Sequence, residues 1–454
     1  MRGGKPVKED LASLGQMSRR DIDLDLIRAQ WKALAAPYDV ERWLIPLPPW
    51  AMRGYDHDGQ TAWNVLCADP GIESSHRPLS IYIHVPFCSQ KCHFCDCYSF
   101  RLSPRREAEK RAYVNRLCSE LILWSHQGNV PSRPVSTVHL GGGTPTFLGP
   151  ELLAELCRCC QDQFSISADT EWALESTAQA LTPEMMDTMQ RIGFRRLHIG
   201  VQSLENKVRS CIGRQSRAEV ALDRIGQALA LGWTVSVDLI CGLPFQTIDS
   251  LAQDVETLVL AGVDGFALYE LLIYAQNRQW ADQVGLADRS HLPNYLMFQV
   301  GAQILEHYGY RKNTFNHWAN HRDDNRYFTF PSRDEDCLAV GAIADGVFGD
   351  YHFRHPRYPA YIRATEESPG LEGGLRRTMF ENEMHAVTTG IMSGHIPGSL
   401  MPYLQVTEQG VSLRDRWLDL GLVQEADDGG VSLLTNGSWF AGNMMRQLTA
   451  LHRA

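Results

Sequence analysis

Between about residue 79 and residue 275, short apolar runs alternate with longer segments whose apolar residues recur every three or four positions. Apolar runs of about four to eight residues are typical of buried strands, and the three-to-four recurrence is typical of amphipathic helices. Strands are predicted at 81–85, 136–140, 171–174, 196–200, 234–240 and 265–269. Helices are predicted at about 104–126, 150–163, 182–192, 204–212, 217–231 and 249–261. This alternation predicts an α/β fold with right-handed crossovers and a parallel sheet that curls toward a barrel.

The chain on either side of this region has a different pattern. An apolar period predicts a helix at 22–35, whereas Pro46-Leu-Pro-Pro-Trp50 cannot form a helix interior because proline lacks an amide hydrogen. A further helix is predicted at 293–308. Near the C-terminus, a helix at 416–423, an acidic turn and a strand at 431–434 together resemble a helix-plus-wing module.

These changes of pattern divide the chain into three predicted parts. They are an N-terminal extension at 1–78, a partial (β/α)6 barrel with its elaboration at 79–370, and a mostly helical, winged-helix-like C-terminal domain at 371–454. Winged modules often bind DNA, but the acidic turn and the lack of a basic recognition helix favour a packing or lid role. At 454 residues the chain is also too long for one small core.

Composition and charge exclude several classes of function. The net charge of -10 and the lack of a basic stripe argue against binding of nucleic acid. No run of about 18 apolar residues is present that would span a membrane. The polar residues 1–8 lack the apolar core of a signal peptide. Twelve cysteines without a secretion signal indicate a reducing compartment, so a cytoplasmic location is expected.

The most specific chemical signal is the segment Cys88-Ser-Gln-Lys-Cys92-His-Phe-Cys95-Asp-Cys97. Three cysteines with this spacing can bind three irons of a four-iron cluster and leave the fourth iron open for a ligand. Clusters built for electron transfer use four thiolates instead. A zinc site usually has four closed ligands, often in two separated C-x2-C pairs, so the spacing disfavours zinc.

The other cysteines are interpreted as structural. Cys157, Cys159 and Cys160 lie in a segment with helical apolar spacing, which predicts a buried helix face. The isolated cysteines that we assign to the core are Cys67, Cys118, Cys211, Cys241 and Cys337.

Polar residues and glycines follow the predicted strands at the ends where barrel chemistry lies. Gly141–Gly143 follows the second strand, where glycines let the backbone approach a ligand and let N–H groups meet a carboxylate. Glu175 and Gln202 end the third and fourth strands, and Asp238 lies near the end of the fifth. Each of these three can also be a helix cap or a satisfied core group. Together they suit the ribose hydroxyls and the amino group of a nucleoside ligand.

With these motifs the chain resembles the HemN-like family of radical S-adenosylmethionine (SAM) proteins, which includes oxygen-independent coproporphyrinogen III oxidase. The resemblance runs from about residue 78 to the C-terminus. It rests on Tyr82-Ile-His-Val-Pro-Phe-Cys, Phe94-Cys-Asp-Cys97, Gly141-Gly-Gly-Thr-Pro-Thr, Ile199-Gly-Val-Gln-Ser and Asp238-Leu-Ile-Cys-Gly-Leu-Pro. It implies a radical SAM barrel with a helical lid, a [4Fe-4S] cluster and two molecules of SAM.

The resemblance also assigns site residues position by position. The cluster ligands are matched by Cys88, Cys92 and Cys95. Contacts to the cluster-bound SAM are matched by Tyr82, Gly142 and Glu175. Contacts to the second SAM are matched by Phe94, Gly143, Thr144, Gln202, Arg214 and Asp238. Cys97 matches a fourth cysteine of the dehydrogenase branch that does not bind the cluster, and the candidate catalytic residues are Tyr82, Cys97 and His317.

Several segments depart from the family pattern and leave the reaction open. Residues 36–50 have no clear counterpart of the dehydrogenase's substrate segment, and no proline follows shortly after Glu175. The segment 316–327 partly matches the dehydrogenase and also resembles relatives that degrade haem by methyl transfer. Its His317 and His321 are candidates for proton transfer or haem ligation. Candidate partners for substrate propionates are Arg311, Lys312, Arg322 and Arg326.

The resemblance implies that SAM is cleaved to a 5'-deoxyadenosyl radical with an electron from a flavodoxin- or ferredoxin-like donor. The expected substrate is a tetrapyrrole or a similar planar conjugated small molecule. In the first interpretation, the enzyme is coproporphyrinogen dehydrogenase-like and removes hydrogen and CO2 from a propionate. In the second, it is a class C methyltransferase that acts in haem degradation or natural-product C-methylation or cyclopropanation. A third interpretation is a haem chaperone, against which Cys97 argues.

Overall fold

The computed structural model describes residues 21–38, 43–73, 75–286, 290–365 and 367–453. Residues 1–8, which were expected to lack the apolar core of a signal peptide, lie outside these ranges. The strands are β1 (His57–Asp58), β2 (Leu79–Val85), β3 (Phe87–Cys88), β4 (Phe100–Arg101), β5 (Val135–Gly142), β6 (Glu171–Ser176), β7 (Phe194–Gln202), β8 (Thr234–Cys241), β9 (Gly265–Glu270), β10 (Arg311–Thr314), β11 (His317–Ala319), β12 (Asp336–Val340), β13 (Asp345–Phe348), β14 (Tyr351–Arg354), β15 (Gly373–Arg376), β16 (His395–Ile396), β17 (Thr407–Glu408), β18 (Val411–Ser412), β19 (Val423–Glu425) and β20 (Val431–Leu433). The helices are α1 (Leu24–Tyr38), α2 (Gly59–Ala68), α3 (Pro70–Glu73), α4 (Glu107–Ser125), α5 (Pro150–Gln163), α6 (Pro183–Ile192), α7 (Asn206–Cys211), α8 (Ala218–Ala230), α9 (Ile248–Ala261), α10 (Arg278–Gln283), α11 (Leu292–His307), α12 (Arg326–Thr329), α13 (Tyr358–Tyr361), α14 (Met379–Ser393), α15 (Leu413–Asp419) and α16 (Thr435–Arg453).

The predicted barrel strands form one parallel sheet. Strands β2, β5, β6, β7, β8 and β9 lie side by side in chain order. The prediction of an α/β fold built on a partial (β/α)6 barrel is therefore confirmed. Strands β5 to β9 each extend further at their carboxyl ends than predicted; for example, Gly141 and Gly142 belong to β5, and β7 continues to Gln202. The sheet itself thus carries these residues to its carboxyl edge.

The sheet is also wider than the sequence analysis predicted. Strand β12 adds a further parallel strand beside β2, and the antiparallel strands β13, β14, β15 and β1 follow it. At the other edge, β11 and β10 follow β9 in antiparallel orientation. These added strands are short, so an alternation of apolar and polar residues is not visible in them.

Local capping signals set the helix boundaries. Helix α6 begins after Thr182, whose hydroxyl accepts a hydrogen bond from the Met185 amide. It ends at Gly193, whose φ of 108° lies in the region that favours glycine. Helix α9 begins with a capping box between Thr247 and Ser250. In the described ranges, no helix combines the length and the apolar character needed to cross a bilayer.

The N-terminal helix α1, predicted at 22–35, packs against α11 and α16 through aromatic residues. The ring centroids of Trp31 and Tyr295 are 4.9 Å apart, and those of Trp31 and Phe440 are 6.1 Å apart. The indole N–H of Trp43 donates to the Trp439 carbonyl at 3.0 Å. The N-terminal extension, the barrel and the C-terminal helix therefore share one apolar core. The boundaries at residues 78 and 370 stay a prediction.

The C-terminal region is mostly helical, as predicted. It contains α14, α15 and α16 beside a small sheet in the order β16-β20-β19. Helix α15 and the hairpin β19–β20 correspond to the predicted helix and wing. The predicted helix at 416–423 is wrong at its end, because α15 stops at Asp419 and Gly421 takes a φ of 63°.

The cysteines interpreted as structural differ in burial, and Cys118, Cys159 and Cys211 are only partly buried. Cys157 and Cys160 are fully buried on α5. Among the isolated cysteines, Cys241 and Cys337 are buried, whereas Cys67 is exposed. The core assignment is therefore wrong for Cys67.

A buried ion pair lies near the amino ends of β7, β8 and β9. Arg196 donates from Nε to Asp323 Oδ1 at 2.9 Å and from a terminal nitrogen to Ser236 Oγ at 2.7 Å. Burial alone would raise the pKa of Asp323, but the neighbouring guanidinium outweighs it and the pKa falls to about 2. His317 lies against this pair, with its Nε2 3.5 Å from Asp323 Oδ2.

Candidate active site

The cysteine loop is held in place by the chain that follows β5. Strand β2 ends at Val85, and the chain turns into the loop through β3. The Gly143 N–H donates to the Val85 carbonyl and the Thr144 N–H donates to the Phe87 carbonyl, each at 2.8 Å. The glycine-rich segment thus fixes the start of the cysteine loop against the carboxyl edge of the sheet.

The carboxylate of Glu175 stands beside this segment. It accepts the Gly142 N–H and the Nε2–H of His139, each at 3.0 Å. Burial alone would raise the pKa of Glu175, but these hydrogen bonds outweigh it and the pKa falls to about 2. Burial lowers the pKa of His139, so its neutral ring is the donor. The Gly142 N–H thus meets a carboxylate of the protein, as the sequence allowed, whereas the Gly143 N–H donates to the Val85 carbonyl.

The thiols of the cysteine loop border a cavity of about 170 Å³, which we call the thiol cavity. Its cysteines are Cys88, Cys92, Cys95 and Cys97. Among the described residues, no three His, Cys, Asp or Glu side chains gather as the ligands of a single metal ion. A four-iron cluster needs a different arrangement, because each thiolate binds a different iron. A cavity walled by several thiols fits such a cluster.

Cys97 differs from the other three cysteines in its surroundings. It borders the thiol cavity and also the larger cavity beside it, whereas Cys88, Cys92 and Cys95 border only the first. The structure therefore separates three thiols that face the thiol cavity alone from a fourth that also faces the larger cavity.

Gln202, Arg214 and Asp238 converge around Gly200. A Cβ atom at Gly200 would lie 2.8 Å from Gln202 Nε2, 2.9 Å from a terminal nitrogen of Arg214 and 3.9 Å from Asp238 Oδ2. A bulge in β7 and a φ of 69° set the direction of Gln202. Within the described chain, Gln202 Oε1 and Arg214 Nε are buried without a hydrogen-bond partner. Buried polar atoms are normally paired, so these two atoms fit a polar ligand such as SAM.

His198 and Phe94 complete this group. The Nε2 of His198 is 2.7 Å from Asp238 Oδ1, and its Nδ1 is 2.8 Å from Ser236 Oγ. Burial opposes protonation of His198, but the Asp238 carboxylate outweighs it and raises the pKa of the ring. The Arg214 guanidinium lies 5.9 Å from the Phe94 ring centroid, within reach of a cation–π interaction.

A larger cavity of about 560 Å³ adjoins both groups. The predicted site residues that line it are Tyr82, Phe94, Cys97, Gly142, Glu175, Gln202 and Asp238. Its other aromatic residues are Trp43, Tyr98, Tyr269, Tyr327 and Phe328. We call it the aromatic cavity, because flat rings form much of its wall.

Tyr82 belongs to a stack of rings at the wall of the aromatic cavity. Its ring lies 4.8 Å from that of Tyr327, which lies 4.3 Å from the ring of His139. The Tyr82 hydroxyl is 3.0 Å from His84 Nδ1. No site role was predicted for His84, His139 or Tyr327 from the sequence. The sequence held a signal for His84, because side chains alternate along a strand and residues 82 and 84 therefore share one face of β2.

Several predicted residues lie elsewhere. His317 is buried beside the ion pair near the amino ends of the strands and lines neither cavity. His321 is exposed. The four candidate partners of propionates, Arg311, Lys312, Arg322 and Arg326, also line neither cavity. Lys312, for example, donates to the Leu433 carbonyl, and Arg322 donates to the Gly232 carbonyl. The structure therefore does not bring these residues to the candidate site.

Comparison with known proteins agrees with this geometry. Residues 82–258 match the profile of the Radical SAM superfamily. The chain is 27% identical over 384 residues to the oxygen-independent coproporphyrinogen III oxidase of Escherichia coli K12, and the match covers 80% of each chain. It is 33% identical over 198 residues to the heme chaperone HemW of Mycobacterium tuberculosis H37Rv, covering 43% of this chain and 50% of HemW. The solved structure of coproporphyrinogen III oxidase (HemN) from Escherichia coli matches the fold with a TM-score of 0.76 at 22% identity, covering 94% of this chain and 98% of that chain.

The parallel barrel and the cysteine loop at its carboxyl edge define a radical SAM enzyme. Within that superfamily, the chain is similar to proteins of the HemN-like family. The family implies a [4Fe-4S] cluster and SAM as cofactors. The walls of the thiol cavity fit the cluster, and the unpaired polar atoms near Gly200 fit a nucleoside ligand.

Proposed function

We propose that this chain binds two molecules of SAM and transfers a methyl group to a planar conjugated substrate held in the aromatic cavity. The observation that carries the proposal is the meeting of three groups at one place. The thiols, the Glu175 group and the group of Gln202, Arg214 and Asp238 all border connected cavities at the carboxyl edge of the barrel. Aromatic rings line the remaining space, and flat conjugated molecules pack favourably against such rings.

Each group has a task in this proposal. Cys88, Cys92 and Cys95 hold the cluster, and a flavodoxin- or ferredoxin-like protein donates the electron. When bound, the cluster and SAM supply a 5'-deoxyadenosyl radical and a transferable methyl group. Tyr82, Gly142 and Glu175 hold the SAM at the cluster, and the ionised Glu175 accepts hydrogen bonds from its amino group or hydroxyls.

The second SAM is assigned to the residues around Gly200. The proposed contacts are Phe94, Gly143, Thr144, Gln202, Arg214 and Asp238. Cys97 and Tyr82 face the aromatic cavity, so both can contact a substrate there. His317 lies away from that cavity, so we assign it a structural task beside Asp323.

Decarboxylating dehydrogenation of a tetrapyrrole is the second candidate function. The similarity to a coproporphyrinogen III oxidase over 80% of both chains favours it. The aromatic cavity favours methyl transfer instead, because its described lining contains no lysine or arginine to pair with propionates. Burial of a carboxylate without a partner is unfavourable, so a propionate at the reacting centre needs a cation nearby.

The two candidates give different products. Protein reconstituted without oxygen is reduced in the presence of SAM and either coproporphyrinogen III or haem, and 5'-deoxyadenosine, S-adenosylhomocysteine and CO2 are quantified. With haem we expect S-adenosylhomocysteine together with 5'-deoxyadenosine, and with coproporphyrinogen III we expect no CO2. CO2 from coproporphyrinogen III without S-adenosylhomocysteine would establish the dehydrogenase. Absence of 5'-deoxyadenosine under all conditions would overturn the radical chemistry itself.

Arg214→Met is expected to lower the SAM stoichiometry from about two to about one molecule per chain, because the charge-assisted contact near Gly200 is lost. Equilibrium dialysis of reconstituted protein with labelled SAM measures this number. Arg217→Met is the matched control, because the Arg217 side chain is exposed and pairs with the exposed Glu219. Equal stoichiometry in the Arg214→Met and wild-type proteins would show that Arg214 holds no second SAM.

A further inference from the structure

Negatively charged side chains line the aromatic cavity, whereas a ligand with several carboxylates needs positively charged partners. The carboxylates in its described lining are Asp96, Glu175, Asp238, Glu270 and Asp345. The same described lining contains no lysine or arginine. Its histidines are His84, whose pKa is lowered by burial, and His198, which is hydrogen-bonded to Asp238. The charged side chains of this described lining are therefore mainly carboxylates.

Four of these carboxylates already have partners within the protein: Glu175 and Asp238, as described above, and Glu270 and Asp345. Glu270 accepts the Trp43 N–H at 3.1 Å and the Asn294 side-chain N–H at 2.8 Å. Asp345 accepts two hydrogen bonds from Arg354, at 2.5 and 2.7 Å. The Arg354 guanidinium is thus engaged by a carboxylate of the protein. A carboxylate on the substrate would have to displace Asp345 to reach it.

A smaller apolar cavity of about 240 Å³ opens beside the aromatic cavity, and we call it the side pocket. The two cavities share Ile45, Tyr269 and Phe328 in their walls. Phe315 and Met392 also line the side pocket, the latter from α14 of the C-terminal region. A pocket with such walls binds a hydrocarbon branch and disfavours a charged group.

We infer that the substrate of this enzyme presents an uncharged planar ring system to the aromatic cavity and an apolar branch to the side pocket. This inference rests on the proposed function and narrows its substrate class. A ring system whose edge carries several carboxylates does not fit, because each one would be desolvated beside like charges without a partner. The cavity therefore discriminates against such ligands in two ways: its described lining offers no lysine or arginine to pair with a carboxylate, and its apolar walls favour uncharged groups.

The test compares two porphyrins with the same macrocycle. Etioporphyrin III carries ethyl groups where coproporphyrin III carries four propionates. Binding of each to the reconstituted protein with SAM is measured by titration of porphyrin fluorescence anisotropy. We expect etioporphyrin III to bind at least about tenfold more tightly, from the unfavourable burial of unpaired carboxylates. Equal or tighter binding of coproporphyrin III would overturn the inference.

A single introduced cation should change this preference. Ile45 lines both cavities and is 43% exposed, so Ile45→Arg can fold with its charge at the cavity mouth. It is expected to tighten coproporphyrin III binding by about tenfold, as for a new ion pair of partly buried groups. The matched control is Leu47→Arg, whose position is 49% exposed and lies in neither lining. A control that tightens binding equally would show that the effect is one of net charge alone.

The failure of this inference can be told apart from the failure of the proposed function. Cleavage of SAM to 5'-deoxyadenosine by the reduced protein is measured in the same preparation without any porphyrin. Cleavage together with a preference for coproporphyrin III would overturn the inference and leave the radical chemistry intact. If the reduced protein does not cleave SAM, the proposed function is overturned, whichever porphyrin binds.

Discussion

Replacement of Cys92 by serine is expected to abolish SAM cleavage. Cys92 borders the thiol cavity together with Cys88 and Cys95, and in our account each thiolate binds a separate iron. Loss of one thiolate leaves an iron without its protein ligand, so the cluster assembles poorly. The iron content, the visible absorbance of the reconstituted protein and the rate of 5'-deoxyadenosine formation are all measured. We expect the rate to fall by at least about a thousandfold, because the chemistry belongs to the cofactor.

Cys97→Ser is the informative companion of this variant. Cys97 lies only two residues after Cys95 but also faces the aromatic cavity, so its variant should keep the iron and the absorbance. Cys67→Ser controls for the general loss of a thiol, because Cys67 is exposed and lies in neither cavity lining. If Cys97→Ser loses its iron while Cys92→Ser keeps it, the assignment of the ligands is wrong.

Arg196→Met is expected to lower the free energy of unfolding by about 3–5 kcal/mol, because it leaves the buried Asp323 without its cation. Both side chains are almost fully buried, and Asp323 accepts from Arg196 at 2.9 Å. Denaturant titration of the cluster-free protein measures the loss. The pKa of Asp323 is depressed to about 2, so the pair stabilises the fold above the unfolded pKa and loses that effect as the pH falls toward 2.

The double variant Arg196→Met/Asp323→Asn distinguishes a buried charge from lost packing. Removal of both charges should recover part of the stability, because the uncompensated carboxylate is gone. Arg217→Met serves as the exposed control, and no measurable change in its unfolding midpoint is expected. Losses that simply add in the double variant would contradict the account of Arg196 and Asp323 as a coupled pair.

The sequence predicted the parallel barrel because short apolar runs, typical of buried strands, alternate with segments of helical apolar periodicity. It also predicted which residues meet at the carboxyl edge, since parallel strands place their last residues side by side. Glu175, Gln202 and Asp238 were found in this way, and the structure brings each of them to a cavity wall. The spacing of Cys88, Cys92 and Cys95, the strand before them and the family resemblance indicated the cluster ligands, and that assignment stays a prediction.

Residues that reach the site through tertiary packing were not predictable from the sequence. Tyr327 lies on the four-residue helix α12, and only its packing against Tyr82 and His139 reveals a place in the cavity wall. His317, by contrast, was predicted to be a site residue but lines neither cavity. Its type and neighbours in the sequence suggested chemistry, but the strand β11 pairs with the amino end of β9 and places it beside Asp323.

The charge of the aromatic cavity also became visible only in the fold. Arg311, Lys312, Arg322 and Arg326 were candidates because propionates need cationic partners and these residues are cations of the C-terminal half. In the structure none of them lines the aromatic cavity, whose walls come from segments far apart along the chain. Trp43 and Asp345, for example, both line it although they lie far apart in the sequence. Sequence distance therefore gave no guide to the electrostatics of the site.

The central claim is that three thiolates hold a four-iron cluster whose remaining iron binds SAM. Electron paramagnetic resonance of the reduced, reconstituted protein before and after addition of SAM tests it most directly. The account predicts a signal of a reduced [4Fe-4S] cluster in the wild-type protein that shifts when SAM is added, because SAM becomes a ligand of the open iron. A cluster signal that SAM leaves unchanged, in protein that forms no 5'-deoxyadenosine, would contradict the account.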